Sequence, residues 1–423
     1  MKNESHFRNA YLKNDKSNLL FLLFIVFFYA VIYMTNNCFS AALAQIVAEG
    51  TMTKAQTGLM TSGFYLFYGA LQLTGGMLAD KYNPKTILKI GLFLSAIINS
   101  LIFFFNGFYE MLILWSLNGI IQMANYPCVF KILTSRLAPS WRKRGIFCIS
   151  FAGSIGLIFG YIIAAFVTKW QYNFLVAAIS IVAMVFALEI AYKRSDKDLT
   201  EDVKAGDTIT VETKPIPGGS VFKLFAISGF IGILPVFLLR TFADLAVKTF
   251  TAPMLMESYP GLGVTVSNLL TTFVILAGVI GTVLTRKWTS GKTVKNEMKT
   301  VAVLFVAVLP FLGLLFLTGK APVALIIFAV CMVSAILSGI LLLCNFITGY
   351  FSVFGKSGTA AGIYNMAASL GVVVQSYGTG FVADHFGWKA VTVLYIAIVV
   401  LSVLITAFII PVWARFKEKE ALH

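Results

Sequence analysis

Charge is scarce in this 423-residue chain: 12% of its residues are Asp, Glu, Lys or Arg, and only 18 of those are acidic. Soluble domains carry roughly 25% charged residues, so a soluble enzyme or a solvated binding module is excluded. Histidine is rarer still. His6, His385 and His423 lie at the two ends and in a loop, too far apart to gather into a metal centre. The five cysteines, Cys38, Cys128, Cys148, Cys331 and Cys344, fall in or beside apolar runs without paired spacing. They read as small buried hydrophobes and not as a disulfide framework. No G-x-x-x-x-G-K-[ST] stretch occurs, so ATP does not drive the molecule. No cofactor, metal or catalytic role is expected.

Apolar sequence is abundant, at 58% hydrophobic residues and a mean hydropathy of +0.86. Runs of about 20 apolar residues recur along the chain, each long enough to cross a bilayer. Backbone groups in lipid must be satisfied internally, so the spans are helices or a closed barrel. Barrel strands would be half as long and would alternate. The expectation is an all-α membrane protein with twelve transmembrane helices in two six-helix halves. The spans fall near 19–44, 57–79, 86–105, 110–134, 145–168, 171–192, 222–247, 264–285, 300–318, 322–349, 358–383 and 388–412. The first run is too long for a signal-peptide core and is expected to be retained.

With the N-terminus inside, 26 of the 33 lysines and arginines fall on the cytoplasmic side. That bias sets both termini in the cytoplasm and accounts for the net charge of +15 without nucleic acid. The polar stretch "KRSDKDLTEDVKAGDTITVETKPIPGGS" follows the sixth span. It divides the chain into an N-terminal half (1–192), a cytoplasmic linker (193–221) and a C-terminal half (222–423). The halves resemble repeats: "GTVLTRKW" after span eight echoes "GGMLADKYNPK" after span two. Repeated halves imply a binding site between them near the bilayer midplane.

One span carries charge. "PVFLLRTFADLAVKTF" holds Arg240, Asp244 and Lys248 four residues apart, along one helix face. An intramembrane arginine normally faces an interior or a wet cavity. The span boundaries put Arg240 about five residues outward of the middle, roughly 8 Å at 1.5 Å per residue. Its guanidinium suits a carboxylate or phosphate oxygen pair. Asp244 would orient it or hold it between substrates, and Lys248 would stand near the outer mouth and guide anions inward. The plainer alternative is an internal Arg240–Asp244 pair with Lys248 snorkelling to the surface. Further candidates for the cavity are Gln122, Tyr126, Asn345, Asn365 and Gln375, although buried amides also serve as interhelical glue. Lys131 is expected to snorkel or to pair across the halves, and Glu189 to be interfacial.

Residues 76–85, "GMLADKYNPK", resemble the cytoplasmic loop motif of the major facilitator superfamily, G-x-L-A-D-[RK]-x-[GN]-x-[RK]. The resemblance implies a conformational latch there, with Gly76 allowing close helix approach and Asp80, Lys81 and Lys85 carrying the charge. Across nearly its whole length the chain is similar to the organophosphate:phosphate antiporters, the glycerol-3-phosphate and hexose-phosphate carriers. "NGIIQMANYPC", "FLLR" and "GTAAGIYNMAASLG…GFVADHFGWKA" carry that likeness in order and spacing. Those antiporters clamp phosphate with arginines on helices one and seven. The likeness places the helix-seven arginine at Arg240. Asn36 stands where the other arginine falls, and Gln72 where a helix-two lysine falls. The helix-five signature begins at Arg144 and Gly145 but continues with Phe151 and Ala152 in place of Trp-Asn. Tyr29, Tyr33 and Tyr68 are kept. One arginine with two amides suits a monoanion better than a dianion.

The resemblance therefore implies a secondary transporter in the cytoplasmic membrane, moving a small organic anion by alternating access. Organophosphate:phosphate antiport is the family expectation. The rival is a proton-coupled symporter of a sugar acid or other carboxylate, with Asp244 as proton carrier. A non-transporting membrane sensor is a third reading; it would carry partner-docking cytoplasmic segments, and the linker here is short. The partners implied are the anionic substrate, inorganic phosphate or protons as coupling species, and the lipid bilayer. A monomer is expected.

Overall fold

A computed structural model describes residues 11–105, 107–199, 219–290, 296–354 and 356–421, apart from a few side chains, Asp80's among them. Most of the expected linker lies outside these residues. Among them the only β feature is a bridge between Leu12 and Leu199. Fifteen α-helices follow in order: α1 (Asp15–Asn36), α2 (Cys38–Ala48), α3 (Lys54–Ala70), α4 (Gln72–Lys81), α5 (Pro84–Phe104), α6 (Phe108–Ile121), α7 (Asn125–Arg136), α8 (Pro139–Phe166), α9 (Gln171–Ser195), α10 (Val221–Ile227), α11 (Phe230–Ser258), α12 (Gly263–Ser290), α13 (Glu297–Leu314), α14 (Val323–Tyr350) and α15 (Ser357–Ala421).

Nine stretches among the described residues are long and apolar enough to cross a membrane. The difference from twelve has local causes. The second expected span is broken at Leu71 into α3 and α4, and the fourth is broken at 122–124 into α6 and α7. The last two are joined in α15, which bends at Gly387. Its φ of 73° is in the left-handed region that glycine adopts without a Cβ penalty.

The seventh span differs most. It was expected over 222–247, but the chain forms the short α10 and then turns at Gly229, whose φ is 77°. α11 begins only at Phe230 and runs 29 residues. Its midpoint is therefore Asp244. Arg240 lies one turn before the middle and Lys248 one turn beyond it.

Two hydrophobic cores are self-contained. One draws all its buried members from residues 224–416, the other from 12–188. Two smaller clusters bridge them, one seating Val372 among Phe64, Trp115 and Phe174, the other joining Ala41 and Leu157 to Ala252 and Ile275. In lipid such seams depend on close backbone approach and interhelical hydrogen bonds. The α3–α15 seam is built that way. A Cβ on Gly58 would overlap the Ser376 carbonyl, and one on Gly380 would lie 2.5 Å from the Lys54 carbonyl oxygen. Ser62 Oγ donates to the Val373 carbonyl at 2.7 Å.

A polar clasp closes one end of that seam. Lys54 Nζ is 2.7 Å from Glu257 Oε1 and 3.3 Å from Asp384 Oδ1. The Asp384 carboxylate also accepts the α3 N-terminal N–H groups of Lys54 (3.3 Å) and Ala55 (2.7 Å), where the helix dipole favours an anion. Trp388 Nε1 donates to Glu257 Oε2 at 2.8 Å. The clasp ties α3 to both α11 and α15.

At the opposite end several ion pairs join residues on the same side of the linker. Arg136 pairs with Asp196, Lys85 and Lys89 with Glu189, and Lys417 with Glu297. One contact that crosses there is a cation–π contact: the Arg286 guanidinium lies 3.9 Å from the centre of the Phe147 ring. Asp384→Asn should loosen the clasp by about 1 kcal/mol, the scale of an anion at a helix N-terminus. Alkylation of a cysteine placed at Ser62 should then speed up roughly fivefold, since 1.4 kcal/mol is tenfold. An unchanged rate would remove the clasp from any role in closure.

Candidate functional site

Arg240, Asp244 and Lys248 are brought together as one buried unit at the middle of α11, with 4%, 4% and 7% of their surfaces exposed. Arg240 Nη2 donates to Asp244 Oδ2 at 2.8 Å. Lys248 Nζ reaches both oxygens of the same carboxylate, at 2.8 Å to Oδ1 and 2.9 Å to Oδ2. α14 completes the unit. The Leu337 carbonyl accepts from Arg240 Nε at 3.0 Å, and Ser338 Oγ lies 3.2 Å from Lys248 Nζ and 3.4 Å from Asp244 Oδ1.

Lys248 is thus neither at a mouth nor snorkelling. The late start of α11 places it one turn beyond the helix midpoint, and Asp244 holds it there. α12 comes close at Gly278, where a Cβ would lie 2.7 Å from Ser338 Oγ and 3.3 Å from Lys248 Nζ. From the other core, Tyr161 of α8 donates towards the Lys248 carbonyl (3.0 Å) and the Ser40 carbonyl (3.3 Å). Two formal positive charges and one negative leave the triad at +1.

A tyrosine cluster faces the triad from the N-terminal core. Tyr33 of α1 is close enough to Asp244 and Arg240 to interact with them electrostatically, and Tyr65 of α3 is beside it. Tyr65 in turn donates to Asn37 Oδ1 at 3.2 Å. Tyr29 neighbours Tyr68, and its ring lies 5.6 Å from that of Tyr126. On the other flank Tyr364 of α15 couples with Arg240 and Asp244 and meets Phe237 edge-on at 4.7 Å. Sequence reasoning named Tyr29, Tyr33, Tyr68 and Tyr126. It missed Tyr65, Tyr161, Tyr364 and Ser338. Tyr65 had a signal, being three residues before Tyr68 and so on the same helix face.

The amides divide. Asn36 is buried at the end of α1, and its Oδ1 has no hydrogen-bond partner. Gln72 is half-buried as the first residue of α4. Gln122 is interhelical glue: it donates to Ser95 Oγ at 2.9 Å and to Asn118 Oδ1 at 3.1 Å, and accepts from Asn125 at 2.9 Å. Its hydrogen bonds hold α5 and α6 together and leave it little to give a ligand. Asn345 is exposed and Asn365 half-buried, and neither bonds to the triad. Gln375 is buried and donates to Ser376 Oγ at 2.7 Å.

The loop motif also reads differently in three dimensions. Gly76 meets nothing within 4 Å of a Cβ, whereas one on Gly75 would lie 2.7 Å from the Met123 carbonyl carbon. The close approach belongs to Gly75 because the two residues point about 100° apart on the helix. Lys85 is held by Glu189 at 2.7 Å, so Glu189 is a partner and not merely interfacial. Lys81 is exposed beside the Tyr82 ring. Lys131 donates to the Ala79 carbonyl at 2.7 Å near the C-terminus of α4. The Asp80 side chain lies outside the described residues. Among those residues no group of three His, Cys, Asp or Glu could hold a metal ion.

Comparisons with known proteins bear on the family and the fold. Residues 25–376 match the model of the Major Facilitator Superfamily. Over 107 residues the chain is 32% identical to the membrane sensor protein UhpC of Salmonella typhimurium, a match covering 25% of this chain and 24% of that protein. The chain thus spans only about a quarter of that relative. Over 421 residues it is 25% identical to the probable hexose phosphate transport protein of Chlamydia pneumoniae, covering 91% of this chain and 89% of that one. Its fold is similar to the crystal structure of a bacterial homolog of the human lysosomal transporter Spinster in an inward-facing, unoccupied conformation. The TM-score is 0.70 at 15% identity, over 95% and 97% of the two chains.

The triad's charge balance orders the cost of breaking it. Asp244→Ala leaves two buried cations unpaired and should destabilise the protein by about 3–5 kcal/mol. Lys248→Met leaves the Arg240–Asp244 pair intact and should cost clearly less. Melting temperatures of the two variants in one detergent test this, and equal losses would refute it.

Proposed function

The chain belongs to the Major Facilitator Superfamily, and from that premise we propose that it carries a small organic anion across the cytoplasmic membrane by alternating access. It is a multi-pass membrane transporter and not an enzyme. In our reading twelve crossings form two halves, 1–192 and 222–423, joined by a cytoplasmic linker, with both termini inside. α3–α4 and α6–α7 each make one broken crossing, and α15 makes two. The protein acts as a monomer.

One observation carries the reading: two cations converge on one carboxylate at the middle of α11, between two cores that pack separately. Intramembrane charge marks substrate and ion pathways. A guanidinium beside an ammonium suits phosphate or carboxylate oxygens. The tyrosines supply hydroxyls on the opposite wall, and the partnerless Asn36 amide oxygen supplies an acceptor. The clasp of Lys54, Glu257 and Asp384 supports closure at the outer end, and the Arg286–Phe147 contact crosses between the halves at the inner end. The 91% coverage of a hexose phosphate transport protein favours organophosphate exchange for phosphate. It also favours transport over sensing, since the sensor match covers only a quarter of either chain. A second reading is proton-coupled symport of a sugar acid, favoured by Asp244, the carboxylate at the centre of the site.

Uptake of labelled hexose phosphates and sugar acids into proteoliposomes, loaded with phosphate or set under a proton gradient, separates the modes. Binding without uptake of any of them would establish the sensor instead. Arg240→Lys should lower uptake at least tenfold, because an ammonium cannot hold Leu337, Asp244 and an anion in one planar fork. Wild-type uptake by that variant would displace Arg240 from the site.

A further inference from the structure

We propose that Asp244 is the carrier's own counter-anion, taking up one proton for each dianion bound and none for a monoanion. This rests on the anion-transport reading above and adds to it how substrate charge sets proton coupling.

Asp244 already holds the position that an anionic substrate must take. Arg240 lies 2.8 Å from one of its oxygens, and Lys248 lies within 2.9 Å of both. An entering anion competes for those donors. The triad carries +1 while Asp244 is ionised. A bound monoanion brings the site to neutrality with Asp244 still charged. A dianion would leave it at −1, and an uncompensated charge in a water-poor interior costs several kcal/mol. A proton on an Asp244 oxygen restores neutrality. The two ion pairs to Asp244 are then replaced by two to the dianion, and the proton comes from water at the open mouth.

Only Asp244 has room for that proton. Around it stand Arg240 and Lys248 on α11, Ser338 on α14, Tyr33 on α1 and Tyr364 on α15, with the Leu337 carbonyl bonded to Arg240. Cys344 of α14 lies beyond, near Arg240 and Tyr364. α12 brings Gly278, which has no side chain, and Tyr161 of α8 is bonded to the Lys248 backbone. Tyrosine, cysteine, lysine and arginine ordinarily hold their protons at neutral pH, so none of these can take up another. Ser338 Oγ, 3.4 Å from Oδ1, can accept a hydrogen bond from the protonated carboxyl.

The test measures protons released or bound by the purified full-length protein at pH 8 in weak buffer, with an indicator dye. The probes are glucose 6-phosphate, a dianion well above its second ionisation near pH ~6, and gluconate, a monoanion. One proton taken up per glucose 6-phosphate bound, and none with gluconate, is expected. The wild-type Kd for glucose 6-phosphate should rise about tenfold per pH unit between pH 7 and 9, the slope for one linked proton. Asp244→Asn should bind it without proton uptake and with a flat pH profile, while Asp244→Glu restores both. If the Asn variant does not fold, infrared difference spectra of the wild type serve. A protonated-carboxyl band should appear with glucose 6-phosphate and not with gluconate. Binding without proton uptake, uptake that persists in Asp244→Asn, or absence of that band would overturn the proposal and leave the transport reading standing. Failure of folded wild-type protein to bind either anion would overturn the transport reading and this proposal with it.

Discussion

Two cations sharing one carboxylate in the middle of a buried helix is the interaction on which the rest of this structure depends. None of the three charges is stable there alone. Desolvation costs each several kcal/mol, and only close pairing offsets it. Four-residue spacing supplies the pairing within α11 itself. The neighbours then finish the satisfaction. α14 gives a carbonyl and a hydroxyl, α12 gives room at Gly278, and α8 fixes the Lys248 backbone through Tyr161. The polar demand of three residues thus orders four helices, one of them from the opposite core.

The spacing of Arg240, Asp244 and Lys248 was fully legible in the sequence, and so was the alternation of apolar runs that gives the helical membrane fold. Depth was not. The register of α11 turns on Gly229, one left-handed residue in an apolar stretch with no proline or charge to mark it. Without that break the span reads too early, and Lys248 falls near the surface instead of at a carboxylate. The same limit applies to Gly75 and Gly76. Composition shows a close approach, but the helix phase that selects one glycine depends on where α6 ends and α7 begins.

The clasp was illegible for a different reason. Lys54, Glu257 and Asp384 each look like an ordinary charge beside a membrane span, and only the tertiary fold joins residues 203 and 330 positions apart. Tyr65, Tyr161 and Tyr364 were hidden among 16 tyrosines, most of which only pack. Gln122 was read as open to the cavity or to glue, and the neighbours Ser95, Asn118 and Asn125 decide it. A polar side chain in a bilayer is conspicuous in a sequence. Whether it meets another polar side chain or a ligand is set by helix rotation, which local sequence does not encode.

Clasp and triad lie on the same rod. Thirteen residues of helix separate Asp244 from Glu257, about 20 Å at 1.5 Å per residue. Whatever moves α11 relative to α14 at the triad also moves the Glu257 end of the clasp relative to α3. A ligand shifts such an equilibrium only by its difference in affinity between the two arrangements. Here the triad is satisfied without a ligand, because Asp244 pairs with both cations. A carrier with two unpaired cations would be penalised whenever its empty site closed, and that penalty enforces strict exchange. The self-paired triad removes most of the penalty. Under the proposed anion transport, the residual charge of +1 would be the same after release on either side, so electrostatics would not impose exchange, and the mode would be set by whether anion and proton leave together at Asp244.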